Sequence, residues 1–221
     1  MKLIDLNLPG ENDFFMQEAY KSLRTNLQFC GKDIKVICVT SCNENEGKSV
    51  VSLHTAKSFA ELGKKVLFID ADMRKSVIAS RNASVTDITG LSEVLTGMAT
   101  LENSLCKTKD GEVYILFSGK YPPNPVELLG GRYFEELVKK ARDEYDYVII
   151  DTPPIGKVVD AAVVATTCDG AVLVFGDDKI SYRDARTAVD QLEKSGCNVL
   201  GVVKNRVVSD GKKYRVKGSK Y

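Results

Sequence analysis

The chain has no membrane-length apolar run, no paired cysteines and no surplus of charge, and each of these absences narrows what it does. A bilayer-spanning helix needs about 20 consecutive apolar residues; no stretch approaches this, and the first residues carry no signal-peptide core. A soluble cytoplasmic protein is therefore expected, with any membrane attachment made through a partner or a weak basic surface. The cysteines Cys30, Cys38, Cys42, Cys106, Cys168 and Cys197 are scattered without a C-x-x-C pair, and the lone His54 offers no ligand cluster. That pattern argues against a zinc site and a disulfide framework, and it fits a reducing compartment. Lys and Arg number 31 against 30 Asp and Glu. This balance gives no support to a broad nucleic-acid surface, so nucleic acid is not expected as a partner.

What is present is a length of 221 residues, which suits one compact domain. Residues 1–12 read as a loose arm. A helix is expected over 13–29, with Phe15, Ala19, Leu23 and Leu27 along one face. Short β-branched runs at 35–40, 66–69, 113–117, 147–150, 171–175 and 199–203 read as strands. Helices are expected over 48–62, around 91–95 and 101–105, from the Pro-rich 121–125 to about 144, and over 182–194. Apolar strands without alternation, interleaved with helices, predict an α/β fold: a mostly parallel sheet with helices on both faces. Ligands bind such sheets at the carboxyl ends of the strands.

At the end of the first of these runs lies Ser41-Cys-Asn-Glu-Asn-Glu-Gly-Lys-Ser49, between a strand and a helix. That context makes it a phosphate loop of the P-loop NTPase type, in which backbone N–H groups converge on phosphate oxygens. Asn43, Glu44, Asn45, Glu46, Gly47, Lys48, Ser49 and Val50 are the candidate nucleotide cradle. Lys48 supplies charge to the β and γ phosphates, and Ser49 a hydroxyl to magnesium. Cys42 stands where G-x-x-x-x-G-K-[ST] has its first glycine, and Asn45 is the residue that tolerates a left-handed backbone. Two further runs end on carboxylates: Asp70-Ala-Asp72-Met-Arg74, and Asp151 before Thr152-Pro153-Pro154. Asp70 and Asp151 are candidate magnesium residues with Ser49; Lys48, Asp70, Asp72 and Asp151 are candidate catalytic residues, one aspartate of the first pair acting as base. A single such aspartate would be a turn former or cap, but three beside a phosphate loop point to phosphoryl chemistry. Arg74 meets phosphate or an acid, and Asn205 is a candidate adenine contact.

The order of phosphate loop, Leu67-Phe-Ile-Asp-Ala-Asp-Met-Arg74 and Val148-Ile-Ile-Asp-Thr-Pro-Pro154 resembles the Walker A, A′ and B set of bacterial tyrosine kinases of capsule and exopolysaccharide assembly. Pro122-Pro-Asn-Pro-Val-Glu-Leu-Leu129 is similar to that family's segment between A′ and B, and the likeness runs from about Glu18 to Val208. The resemblance implies an autophosphorylating ATP:protein-tyrosine phosphotransferase that uses ATP and Mg2+. It implies a homo-oligomeric ring, joined through an E-x-x-R-x-x-R helix matched here by Glu18, Lys21 and Arg24, with Lys in place of the first Arg. It further implies protein tyrosine substrates, and, for the split form of the family, a membrane-spanning activator or polysaccharide co-polymerase chain that brings the kinase to the inner face of the membrane. The kinase domain would cover 1–208, and a flexible basic tail 209–221. From Lys204 onward seven basic residues face one acid, and the tail offers Tyr214 and Tyr221 as phosphosites. Two other readings compete. A chromosome-partitioning or Min-type ATPase shares the strand-end aspartates but has a signature lysine where this chain has Asn43. A degenerate nucleotide-binding scaffold would not need Lys48, Ser49 and all three aspartates.

Overall fold

The computed structural model of the chain describes residues 1–6, 8–11, 13–78, 89–109, 113–176 and 181–207. Its first half runs β1 (Lys2–Ile4), α1 (Phe14–Phe29), β2 (Val36–Ser41), α2 (Lys48–Ala60), β3 (Val66–Asp70), α3 (Leu91–Leu95), α4 (Leu101–Ser104), β4 (Leu105–Thr108) and β5 (Val113–Leu116). The second half adds α5 (Pro125–Leu129), α6 (Arg132–Glu144), β6 (Tyr147–Asp151), α7 (Asp160–Ala165), β7 (Gly170–Phe175), α8 (Tyr182–Lys194) and β8 (Val199–Lys204). Among the described residues one 8-stranded sheet forms in the order β1-β4-β5-β3-β6-β2-β7-β8. Only the β4–β5 pair is antiparallel. The mostly parallel α/β sheet expected from the apolar runs is therefore present.

The reason lies in the alternation of side chains across a strand that is buried on both faces. Along β2, Val36 and Cys38 point into one layer with Leu67, Ile69, Val148 and Ile150, against Phe134 and Leu137 of α6 and Leu192 of α8. Ile37 and Val39 point into the other with Phe68 and Ile149, against Leu53 and Phe59 of α2 and Leu27 of α1. Each fully buried large aliphatic or aromatic side chain is worth roughly 1.5–3 kcal/mol. Helix α2 lies between the sheet and α1, which is why it is buried nearly all round.

This order decides the placement of the carboxylates. Strand β6 lies between β3 and β2, so the end of β6 separates the end of β3 from the loop that leaves β2. Asp70 and Asp151 are register partners on neighbouring strands, and Val39 is the partner of Asp151 on the other side.

Four expectations change. The arm contains a strand: β1 pairs with β4, an element the middle segment had not suggested, and Ile4 and Leu8 are buried. The arm is also tied to α2, where His54 is buried, stacks on Tyr20 with ring centroids 4.5 Å apart, and hydrogen-bonds the Pro9 carbonyl at 3.0 Å. On α1, Leu23 and Leu27 face inward as expected, but Phe15 and Ala19 are exposed and Met16 and Tyr20 take their places. The helix expected up to residue 144 is two helices, because Gly130 and Gly131 end α5 and start α6.

Candidate active site

The phosphate loop begins at the end of β2 and is closed by Gly47, whose φ of 86° and lack of a Cβ let the chain turn into α2. Asn45 takes φ 64°, the left-handed conformation for which an asparagine is suited. No side chain caps α2, so the N–H groups of its first turn face the space above the loop, where the helix dipole favours an anion. Glu46 is buried, and its carboxylate turns back to accept the Asn43 N–H at 2.8 Å. Burial raises the Glu46 carboxyl, and the nearby backbone N–H groups of Asn43, Cys42 and Gly176 work the other way. Cys42 packs inward with its thiol on the Asp184 carbonyl at 3.7 Å, and burial, with the Glu46 and Asp184 charges, pushes it up to about 12. It is a packing residue and not a nucleophile.

Lys48 is held between carboxylates. Its Nζ lies 2.9 Å from Asp72 Oδ2, 3.7 Å from Asp151 Oδ2 and 3.2 Å from Ser49 Oγ. Burial pulls the lysine down, but Asp151 and Asp72 outweigh it, and Lys48 stands above its ordinary value. Asp151 also accepts from Ser52 Oγ at 3.0 Å. Asp70 accepts from Ser76 and from the Asp72 N–H, the latter at 3.2 Å. Burial, then the charge of Asp151, pushes Asp70 up to about 7; burial likewise raises Asp151.

Three buried aspartates around one lysine leave an excess of negative charge, an arrangement that a hydrated divalent cation would relieve. Among the described residues no three His, Cys, Asp or Glu side chains group as a metal cage. A magnesium ion held by Ser49 and one or two of these carboxylates would complete its shell with phosphate and water oxygens.

Comparison with known proteins decides the family. Residues 34–182 match the AAA domain family. The tyrosine-protein kinase CpsD of Streptococcus agalactiae is 43% identical over 191 residues, covering 86% of this chain and 83% of the relative. In three dimensions the chain superposes on the kinase domain of the Escherichia coli tyrosine kinase ETK with TM-score 0.83 and 33% identity, covering 92% and 80% of the two chains. The chain belongs to the bacterial tyrosine-protein kinases. The septum site-determining protein MinD of Pyrococcus horikoshii, solved with Mg-ADP, shares the fold more distantly, with TM-score 0.66, 27% identity, and 82% and 73% of the two chains covered. The tyrosine-kinase reading therefore holds over the Min-type switch.

Most of the remaining candidate residues of the kinase are partnered within the chain. Arg74 does not point freely at the cradle: Nε and Nη2 fork onto the two carboxylate oxygens of Asp160 at 2.9 and 3.1 Å, and Asp160 is fully buried. Asn205 donates from Nδ2 to the Glu46 carbonyl at 3.0 Å. Glu44 is exposed and pairs with Lys75 at 2.9 Å. On α1, Glu18 and Lys21 pair with each other at 2.7 Å on the surface. Arg24 instead turns inward onto the carbonyl and hydroxyl of Ser58 near the end of α2. Tyr214 and Tyr221, with the rest of the tail from residue 208, lie outside the described residues.

Sequence reasoning had not singled out Ser52, Ser76 or Asp160. Ser52 follows Lys48 by four positions on one helix, a spacing that puts both on the same face, so it was within reach. Asp160 meets Arg74 across 86 residues of chain, and no local pattern announces it.

Proposed function

We propose that this kinase transfers the γ-phosphoryl group of ATP to protein tyrosines, its own tail residues Tyr214 and Tyr221 included, and that it serves capsule or exopolysaccharide assembly. The observation that carries the reading is Lys48 at the uncapped start of α2, held within 4 Å of both Asp72 and Asp151. In the free chain those carboxylates keep the lysine in place; a bound triphosphate offers it a more concentrated anionic partner. The α2 N-terminus and the cradle from Asn43 to Val50 then hold the phosphates, with Asn205 and Arg74 nearby. Magnesium, when bound, offsets charge on the β and γ oxygens, and Ser49, Asp70 and Asp151 are the residues that would hold it.

The substrate phenol oxygen attacks the γ phosphorus, the bond to the β–γ bridging oxygen breaks, and ADP leaves with that electron pair. Asp72 takes the phenolic proton, because it loses Lys48 to the phosphates and is the least buried of the three aspartates, at 5% exposure. Asp70 stays behind it, too deeply placed to meet a substrate.

No helix among the described residues is long and apolar enough to cross a membrane. The kinase is proposed to work at the inner face of the cell membrane through a membrane-spanning activator chain, and to assemble as a ring through Glu18, Lys21 and Arg24. Incubation of the purified chain with ATP and magnesium, followed by mass spectrometry of tail peptides, tests the reading. Phosphotyrosine should appear, and should be absent from a Lys48→Met control. Equal labelling of both would sink it.

A further inference from the structure

The end of β8 reaches across the molecule to the phosphate loop, and it does so through one side chain. The Asn205 backbone N–H donates to the Phe175 carbonyl at 2.7 Å, which seats the residue at the end of the β7–β8 ladder. Its Oδ1 accepts the Arg206 N–H at 2.9 Å. That bond goes with a left-handed turn at Arg206, φ 58°, an uncommon conformation for a residue with a Cβ. With the amide oxygen taken, Nδ2 is the end that faces the loop, and it donates to the Glu46 carbonyl at 3.0 Å. The fit is close: a Cβ on Gly47 would sit 2.1 Å from that nitrogen. Gly47 is thus required twice, for its positive φ and for the room Asn205 occupies.

Glu46 is held from the other side as well. Its carboxylate accepts the Asn43 N–H at 2.8 Å, and the N–H of Gly176, just beyond β7, favours its charged form. The peptide between Glu46 and Gly47 is therefore held by the end of β8, which is itself seated on the end of β7. That peptide leads directly into Lys48, so its orientation sets where the lysine and the first N–H groups of α2 point.

We propose that Asn205 is a positioning residue of the phosphate loop, acting on bound polyphosphate through the Glu46–Gly47 peptide, a role separate from the adenine contact expected of it. The inference rests on the nucleotide-binding reading above. The two roles divide on a ligand with no base. A positioning residue affects every ligand that uses the loop; a base contact affects only those with the right base.

The test uses the full chain with Asn205→Asp, which sets a carboxylate oxygen against the Glu46 carbonyl, and Asn205→Ala, which removes the donor without adding charge. Displacement of a fluorescent ADP analogue by ATP, GTP and inorganic tripolyphosphate, each with magnesium, gives the affinities. In both variants all three ligands, tripolyphosphate included, should weaken, about tenfold for Asn205→Asp and less for Asn205→Ala. KM for ATP should change more than kcat. Should Asn205→Asp fail to fold, Asn205→Ala carries the comparison alone. Loss of ATP binding with tripolyphosphate untouched would assign the amide to the base and overturn the proposal, as would unchanged affinity for all three. A wild type that binds neither ATP nor tripolyphosphate would remove the nucleotide reading itself, and this inference with it.

Discussion

The two ends of the sheet treat the same residue type in opposite ways. At the amino ends of the strands, Asp169 accepts the N–H groups of Lys35 and Val36 at 2.9 and 2.8 Å and pairs with Arg142. Burial alone would raise its carboxyl, but Arg142 and the two N–H groups prevail and hold it below the usual range. At the carboxyl ends, Asp70, Asp72 and Asp151 crowd one lysine, and Asp70 is pushed up to about 7 by burial and by Asp151. The first arrangement gives a carboxylate all the partners it needs; the second leaves three of them short of positive charge. A carboxylate that only holds the fold together is completed within the chain. The cluster proposed to receive a cation and a triphosphate is left incomplete, and burial raises Asp70 and Asp151.

The sharpest way to break this contrast is to remove Lys48. Lys48→Met should lower tyrosine phosphorylation by about 10³-fold, because nothing else in the loop offers a comparable charge to the γ phosphate. A rate within tenfold of wild type in a radiolabelled-ATP assay would place the chemistry elsewhere.

Asparagine substitutions should then separate the two ends. Asp70→Asn and Asp72→Asn should each depress turnover by ~10²-fold or more, while Asp169→Asn should leave turnover per folded molecule nearly intact. Stability should go the other way. Asp169→Asn should cost roughly 1–3 kcal/mol in urea denaturation through its lost or mismatched partners. Asp70→Asn should stabilise the nucleotide-free protein at neutral pH by removing a buried charge beside Asp151. If both variants destabilise alike, the two ends do not differ as argued.

The pH dependence sharpens the same point. In nucleotide-free, chelator-treated protein, Asp70 goes from an ordinary 3.8 to about 7 on folding. The folded state keeps a proton that the unfolded chain has lost, so this contribution is complete below about pH 4 and fades as pH rises through about 7. Asp169 is shifted down, so its contribution is present above the ordinary carboxylate range and lost as pH falls. The Tm advantage of Asp70→Asn over wild type should therefore widen between pH 5 and pH 8. A constant offset would contradict the assignment.

The smallest effect belongs to the α1 surface pair. Replacing Glu18 and Lys21 with Ala should change folding stability by less than about 1 kcal/mol, since both side chains are roughly half exposed. Any larger consequence must come from assembly, and light scattering would detect it as a loss of mass.

Much of the molecule was legible before its structure. The β-branched runs became strands, the segment from Cys42 to Gly47 became a loop leading into the start of α2, and the aspartates at the ends of two runs converged, because parallel strands all end on one edge. Even Asn45 was readable, since its position demands a backbone that few residues tolerate. On α1 the expected Leu23 and Leu27 do face the core, but the first half was misread by one step: Met16 and Tyr20 turn inward where Phe15 and Ala19 were expected, a choice made by the surface the helix meets.

By itself, then, the sequence determined which segments are strands, where the chain must turn and which side chains are chemically fit for phosphoryl transfer, since burial periodicity and backbone permissiveness are local properties. Only the tertiary structure decided how those side chains are partnered. That Arg74 is spent on Asp160, that Asp169 is completed by Arg142, and that Asn205 reaches Glu46 across 159 residues depend on the strand order β3-β6-β2-β7-β8. A strand order is settled by the packing of the whole sheet, and no single segment carries it.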